Sequence, residues 1–205
     1  MRGRVRSIEK VMMVEKMMNI AVFASGNGSN AENLIKYFNT NPESRIRVAL
    51  VVTNRASAGV VERASRLGVP VAHIARDRFA DADHVLDQLD RYDIEAIVLA
   101  GFLLMIPDYL LHRYPDRIIN IHPSLLPRHG GKGMYGANVH RAVVESGDTE
   151  TGITIHLVNE VYDSGRILFQ TSVPVLPIDT PADVESKIHA LESLHFPRVV
   201  AETLL

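Results

Sequence analysis

Short, almost uninterrupted apolar segments alternate with amphipathic ones along most of this chain, and that alternation restricts the fold more than any other feature. Asn19–Ser25 (NIAVFAS), Arg45–Thr53 (RIRVALVVT), Val71–Ile74, Ile94–Leu99 and Arg117–Ile121 have the length of strands and too few polar positions to leave one face in water. Between them lie helical patterns over Ala31–Phe38, Ser57–Leu67 and Asp81–Tyr92, and one that Pro107 opens and that runs to Arg113. Strands buried on both faces and joined by helices predict an α/β fold: a Rossmann-like, doubly wound, mostly parallel sheet with right-handed crossovers. Past a glycine-rich loop, Gly130–Gly136, a helix over Ala137–Ser146 precedes two further strands, Thr151–Asn159 and Ile167–Val175. The tight Asp163-Ser164-Gly165 segment between them predicts an antiparallel C-terminal addition. Thr180 followed by Pro181 reads as an N-cap with proline at the first helical position, opening a last helix that runs toward Leu204.

With 205 residues, 46% of them hydrophobic, the chain buries a full core, and a single domain over 18–205 is expected, preceded by a tail or mis-called start over 1–17 where Met12, Met13, Met17 and Met18 cluster. Residues 1–18 hold five basic and two acidic side chains against a net charge of −2, so the body of the chain is acidic. That sign and the lack of a dense Lys/Arg stripe argue against nucleic acid as a partner. Cysteine is absent, which removes thiolate metal sites and a cysteine nucleophile. The longest apolar run, Ala96–Ile106, has 11 residues against the roughly 18 to 20 that span a bilayer, so no membrane partner is expected. Glu9, Glu15 and Lys16 interrupt any signal-peptide core, and a cytoplasmic location is the expectation.

Chemistry concentrates at Asn120-Ile121-His122-Pro123-Ser124-Leu125-Leu126-Pro127. On a strand, the period of two points the Asn120 amide and the His122 imidazole to the same side. Gly26–Ala31 fits GxGxxA, yet the second strand ends in Val52-Thr53-Asn54-Arg55 without the acid that a dinucleotide site needs on the ribose. The N–H groups of Gly28, Ser29 and Asn30 at a helix start, with the Ser29 hydroxyl and the Asn30 amide, suit a phosphate monoester instead. These loops and Gly101–Ile106 all follow strand carboxyl ends, where open α/β sheets bind ligands. A catalytic imidazole needs a partner, and spacing leaves both Glu160 and Asp163 open. His156, inside ITIHL, reads as packing or as support for the site, and the remaining histidines lack metal-ligand spacing, so no metal is expected.

Taken together, GNGSN at 26–30, AGF at 100–102, NIHPSLLP at 120–127 and TGITIHLVNEVYDSG at 151–165 resemble the phosphoribosylglycinamide formyltransferases, folate-dependent enzymes of purine synthesis. The resemblance runs from about residue 18 to 204 and implies the formyltransferase fold. It implies transfer of the formyl group of 10-formyltetrahydrofolate, as co-substrate, to the amine of phosphoribosylglycinamide, with no metal and with a monomer or homodimer as the working form. Asn120, His122 and Asp163 match the family's catalytic set, which favours Asp163 over Glu160. Gly28, Ser29, Asn30 and Glu192 match the phosphosugar site, while Leu103, Leu104, Met105 and Ile106, with Asn120, Asn159, Glu160, Val161 and Tyr162, would line the folate site. Leu104 departs from a basic residue frequent in the family, and Arg78 is a candidate for another basic folate contact. The Gly130–Gly136 loop is a few residues longer than in many members and is expected to act as a flap, with Lys132 available to an anion.

On this reading Asn120 and a protonated His122 stabilise a tetrahedral oxyanion, and Asp163 raises the pKa of the imidazole. Two alternatives carry different expectations. A formyltetrahydrofolate deformylase-like hydrolase would release formate without the amine. A non-catalytic phosphosugar-binding module would use the glycine loop alone and leave the Asn120, His122 and Asp163 trio without a task. The related methionyl-tRNA enzymes add an RNA-binding domain and the deformylases a regulatory domain, and neither has a counterpart in this sequence.

Overall fold

A computed structural model describes residues 16–205. The expectation of a tail over 1–17 therefore lies outside the described residues except for Lys16, which pairs with Glu95 at 2.8 Å, and the exposed Met17. The elements are β1 (Met18–Phe23), α1 (Ser29–Asn39), β2 (Ile46–Thr53), α2 (Gly59–Arg66), β3 (Val71–His73), α3 (Ala82–Asp90), β4 (Ile94–Leu99), α4 (Asp108–Arg113), β5 (Ile118–His122), α5 (Ala137–Glu145), β6 (Glu150–Leu157), β7 (Ile167–Pro174) and α6 (Pro181–Leu204). Each predicted strand and helix is present, with ends displaced by a residue or two, as helix fraying and strand termini allow.

The seven strands form one sheet in the order β3-β2-β1-β4-β5-β6-β7, parallel from β3 to β5, with β6 and β7 added antiparallel as expected. The order reverses between β1 and β4, so their carboxyl ends open a crevice at the switch point. Strand alternation splits the core in two. Ile20 and Val22 of β1, Ala96 and Val98 of β4, and Ile119 and Ile121 of β5 pack under α1, α2, α5 and α6. Ala21 and Phe23, Ile97 and Leu99, and Ile118 face α3 and α4. By the same parity Asn120 and His122 continue the row of Ile118, on the face where α4 ends before β5 begins.

Two features of sequence shape α6, and the second ties it to α1. Thr180 and Asp183 form a capping box, with the Asp183 N–H donating to Thr180 Oγ1 at 3.3 Å and the Thr180 N–H to Asp183 Oδ2 at 2.8 Å. Pro197, inside the 24-residue helix, has no N–H for the Ser193 carbonyl. Asn33 of α1 donates its amide to that carbonyl at 3.0 Å, so the proline that would weaken α6 leaves an acceptor through which α1 docks.

Glu32 clamps α1 to α2. It is 8% exposed and ion-paired with Lys36 at 2.7 Å, with Arg66 at 3.0 Å and with Arg63, whose guanidinium also donates to Asn27 in the loop after β1. Hydrogen bonds from Lys36 and Arg63 outweigh burial and hold its carboxyl at about 2. Because the folded pKa is depressed, the stabilisation is complete above the unfolded value of about 4.3 and is lost as pH falls toward 2. Replacing Glu32 with Gln is expected to flatten that acid limb of stability, which denaturant melts between pH 5 and pH 2.5 would register as a reduced slope of unfolding free energy against pH.

Candidate active site

The loop after β1 turns sharply at Gly28, whose φ of +83° lies in the left-handed region and where an added Cβ would stand 2.6 Å from the Val60 side chain. No side chain caps the helix that follows, so the first N–H groups of α1 and the exposed Ser29 face solvent at its positive end. Asn30 is differently engaged: its amide donates to Glu192 of α6 at 2.9 Å. The anion cradle expected at this loop is thus backbone plus Ser29, with the Asn30 amide serving to hold Glu192. Glu192 is 6% exposed, and burial raises its pKa against the opposing hydrogen bond from Asn30.

Sequence reasoning missed the residue that binds three of these loops together. Ser25 is buried; its hydroxyl donates to Asn54 after β2 at 2.5 Å and accepts from the Leu103 N–H after β4 at 3.0 Å. Its own N–H donates to the Gly101 carbonyl at 3.1 Å. Phe102 then seats this segment on the core, edge-on to Phe23 with centroids 5.2 Å apart.

At the end of β5 the antiparallel register sets Asn120 opposite His156 and His122 opposite Thr154. The His156 Nδ1–H donates to the Leu157 carbonyl at 2.8 Å, which leaves Nε2 as the acceptor of the Asn120 amide at 3.0 Å. One Asn120 N–H is thereby held, and the amide has a second to donate. His122, 4% exposed, donates Nε2–H to the His129 carbonyl at 2.8 Å, and its Nδ1 lies 3.5 Å from Asp163 Oδ1. Asp163 reaches this position with a left-handed φ of 52°, accepts the Gly131 N–H on Oδ2 at 2.8 Å, and stands 3.8 Å from His156 Nε2. The structure therefore gathers Asn120, His122 and Asp163, adds His156, and leaves Glu160 exposed. The strand pattern ITIHL marked His156 as packing or as support for the site; the register that places it against Asn120 was not legible.

One expectation is corrected. Asp163 does favour the charged imidazole, but burial acts more strongly, and the pKa of His122 is lowered rather than raised. Resting His122 is the neutral Nε2–H tautomer, and Nδ1 is its basic atom. Burial likewise lowers the pKa of His156.

The residues expected at the folate site do not share one cleft. Asn159, Glu160 and Val161 line a cleft of about 330 Å³ whose other side is Asp108, Leu111 and His112 of α4. Leu103, Leu104 and Met105 lie outside that lining, Met105 is 47% exposed, and Ile106 is buried beneath them. Val161 and Tyr162 are exposed. Arg78 pairs with Asp81 at 3.2 Å, and Lys132 stands exposed on its loop. A larger cleft, about 580 Å³, opens at the opposite end of the sheet among Lys16, Asp90, Glu95 and Arg113, whose charges pair with one another at 2.8 and 3.1 Å. It lacks the convergent donors found beyond the strand carboxyl ends. Among the described residues, no cluster of three or more His, Asp or Glu side chains is placed to hold a metal ion, and no helix is long and apolar enough to cross a membrane.

The family described as formyl transferase matches residues 18–200. A chloroplastic phosphoribosylglycinamide formyltransferase of Arabidopsis thaliana is 41% identical over 174 residues, 82% of this chain and 59% of that protein. The chain spans 58% of the corresponding Vigna unguiculata protein, so it matches well under two thirds of the plant relatives. The phosphoribosylglycinamide formyltransferase of Haemophilus influenzae is 34% identical over 90% of this chain and 86% of its own length. Among solved structures, glycinamide ribonucleotide transformylase 1 from Geobacillus kaustophilus superposes with a TM-score of 0.83 at 35% identity, covering 92% of this chain and all of that one.

Gly165 tests the coupling of this site to the sheet, since an added Cβ would fall 1.7 Å from the Leu157 carbonyl that holds His156. Gly165→Ala is expected to lower the thermal midpoint by several degrees, whereas Gly26→Ala, with open space around it, should leave it within about 2 °C.

Proposed function

This chain belongs to the formyl transferase family, and we propose that it transfers the formyl group of 10-formyltetrahydrofolate to the amine of 5-phosphoribosylglycinamide. The observation that carries the reading is the convergence of two kinds of group beyond the strand carboxyl ends, with an open cleft beside them. The anion-binding start of α1 lies beside Glu192, the Asn120, His122 and Asp163 trio stands at the end of β5, and the cleft runs along α4 and residues 158–161 toward Asp116, just before β5. In this reading the phosphate sits on the Gly28 and Ser29 backbone, Glu192 accepts from the ribose, and the folate lies between residues 103–106 and 159–162. A cytoplasmic location goes with these substrates.

The protein's own groups suffice for the chemistry. The amine nitrogen attacks the formyl carbon, and the carbonyl oxygen becomes an oxyanion that receives the second Asn120 N–H. The attacking nitrogen loses its proton to Nδ1 of the neutral His122, and Asp163, 3.5 Å away, stabilises the imidazolium that forms. Collapse of the tetrahedral intermediate breaks the bond to N10 of the folate, which takes that proton back, and His122 returns to its neutral form. Because Nε2–H is fixed on the His129 carbonyl, a single ring nitrogen gains and loses the proton.

Three outcomes test this. With both substrates present, folate deformylation followed optically is expected to depend on the amine acceptor, and release of formate without it would assign the site to a hydrolase. His122→Ala and Asp163→Ala should each lower turnover by about 10²- to 10³-fold with phosphosugar affinity retained. The rate should fall on the acid side with a midpoint below the ordinary imidazole value of 6.5, and Asp163→Asn should move that midpoint lower still, because it removes the charge that favours protonation.

A further inference from the structure

His129 has a left-handed backbone, φ 53°, although it is not a glycine, and conformations of this kind persist only where the surroundings hold them. The consequence of that backbone is local and specific: it turns the His129 carbonyl onto Nε2 of His122 at 2.8 Å. The preceding carbonyl, of Arg128, accepts the hydroxyl of the fully buried Ser124 at 2.6 Å, and the Gly131 N–H donates to Asp163 at 2.8 Å. These bonds hold the chain on either side of His129. The residue's own side chain reaches out of the loop to Asp148, in the turn between α5 and β6, with Nε2 2.8 Å from Oδ2.

We propose that the His129–Asp148 pair is a positioning device for the proposed reaction: Asp148 anchors the His129 side chain, the anchored residue keeps its left-handed backbone, and its carbonyl fixes the tautomer of His122. The inference rests on the proposed formyl transfer, in which Nδ1 of His122 must be the atom without a proton. A neutral imidazole exchanges its proton between two nitrogens unless a hydrogen bond selects one. A carbonyl can only accept, so its contact with Nε2 places the proton there and leaves Nδ1 for Asp163 and the substrate. The pair is built for strength as well as direction. Both side chains are largely buried, at 16% and 19% exposure, and Arg128 Nη1 lies 3.9 Å from the same carboxylate. The hydrogen bond from His129 holds the Asp148 carboxyl below the usual carboxylate range. Neither His129 nor Asp148 belongs to the trio at the end of β5.

The test uses Asp148→Ala, which removes the acceptor, Asp148→Asn, which keeps one, and His129→Gly, which suits the left-handed backbone but has no side chain to anchor. Nitrogen-15 NMR of the histidine rings reads the His122 tautomer directly, and steady-state kinetics with both substrates reads its consequence. In Asp148→Ala and His129→Gly, His122 is expected to move from the pure Nε2–H form to a mixture, with kcat lower by about tenfold and both KM values within twofold. Asp148→Asn should restore the wild-type ring signals and most of kcat. Wild-type His122 signals in folded Asp148→Ala or His129→Gly would overturn the inference, whatever the rate, because a merely structural role leaves the tautomer unchanged. Should Asp148→Ala fail to fold, His129→Gly carries the same decision. The ring signals do not depend on turnover, so absence of formyl transfer by the wild-type enzyme would defeat the functional reading and leave the tautomer result standing.

Discussion

The antiparallel register between β5 and β6 is the constraint on which the site depends. It sets Asn120 against His156 and His122 against Thr154, on the face of the sheet that continues the row of Ile118. Polar side chains in that row are removed from water, so each requires a partner within the protein. The partners then dictate the loops. Thr154 donates to the Ser124 carbonyl at 2.7 Å and accepts the Leu126 N–H at 3.0 Å, while Gln170 of β7 bonds both Thr154 and the Leu126 carbonyl at 2.8 and 3.1 Å. The segment after β5 is thus laid back over the sheet, which brings the His129 carbonyl to His122. A slip of one residue in this pairing would turn the whole row to the opposite face.

The competition between desolvation and pairing sets the charge of each buried group, and it comes out differently at different positions. Glu32 keeps its charge because it meets three cations, and the hydrogen bonds from two of them outweigh burial. His122 has one carboxylate at 3.5 Å, and burial prevails. Glu192 has a neutral amide partner, and burial prevails there too. A neutral His122 beside Asp163 suits the proposed reaction, in which this ring takes up a proton and releases it again. An imidazole already protonated could not accept one.

Much of the architecture was legible because it follows from local pattern. Apolar continuity identified the parallel strands, period-two alternation identified the face of Asn120 and His122, and the Thr180-Pro181 pair and the glycines marked helix starts and turns. The glycine loop and the end of β5 were readable as a constellation because chemistry restricts which side chains occur at such positions, whereas spacing left Asp163 and Glu160 both open and only the family resemblance favoured Asp163. The Ser25 bridge, the pairing of His156 with Asn120 and the anchor of His129 on Asp148 were not legible. Their partners lie 29, 36 and 19 residues apart in sequence, and no period links them.

The sheet class, the order of its elements and the residue types that could act on a substrate follow from hydrophobic periodicity, turn chemistry and the side-chain inventory, all of which the order of residues carries. The state in which those residues sit comes from the folded packing alone. The tautomer of His122, its lowered pKa and the engagement of Asn30 with Glu192 depend on burial and on carbonyls and carboxylates brought in from distant segments. Desolvation is a property of the folded packing and has no counterpart in the order of residues, which is why reading Asp163 beside His122 predicted a charged imidazole and the fold produced a neutral one.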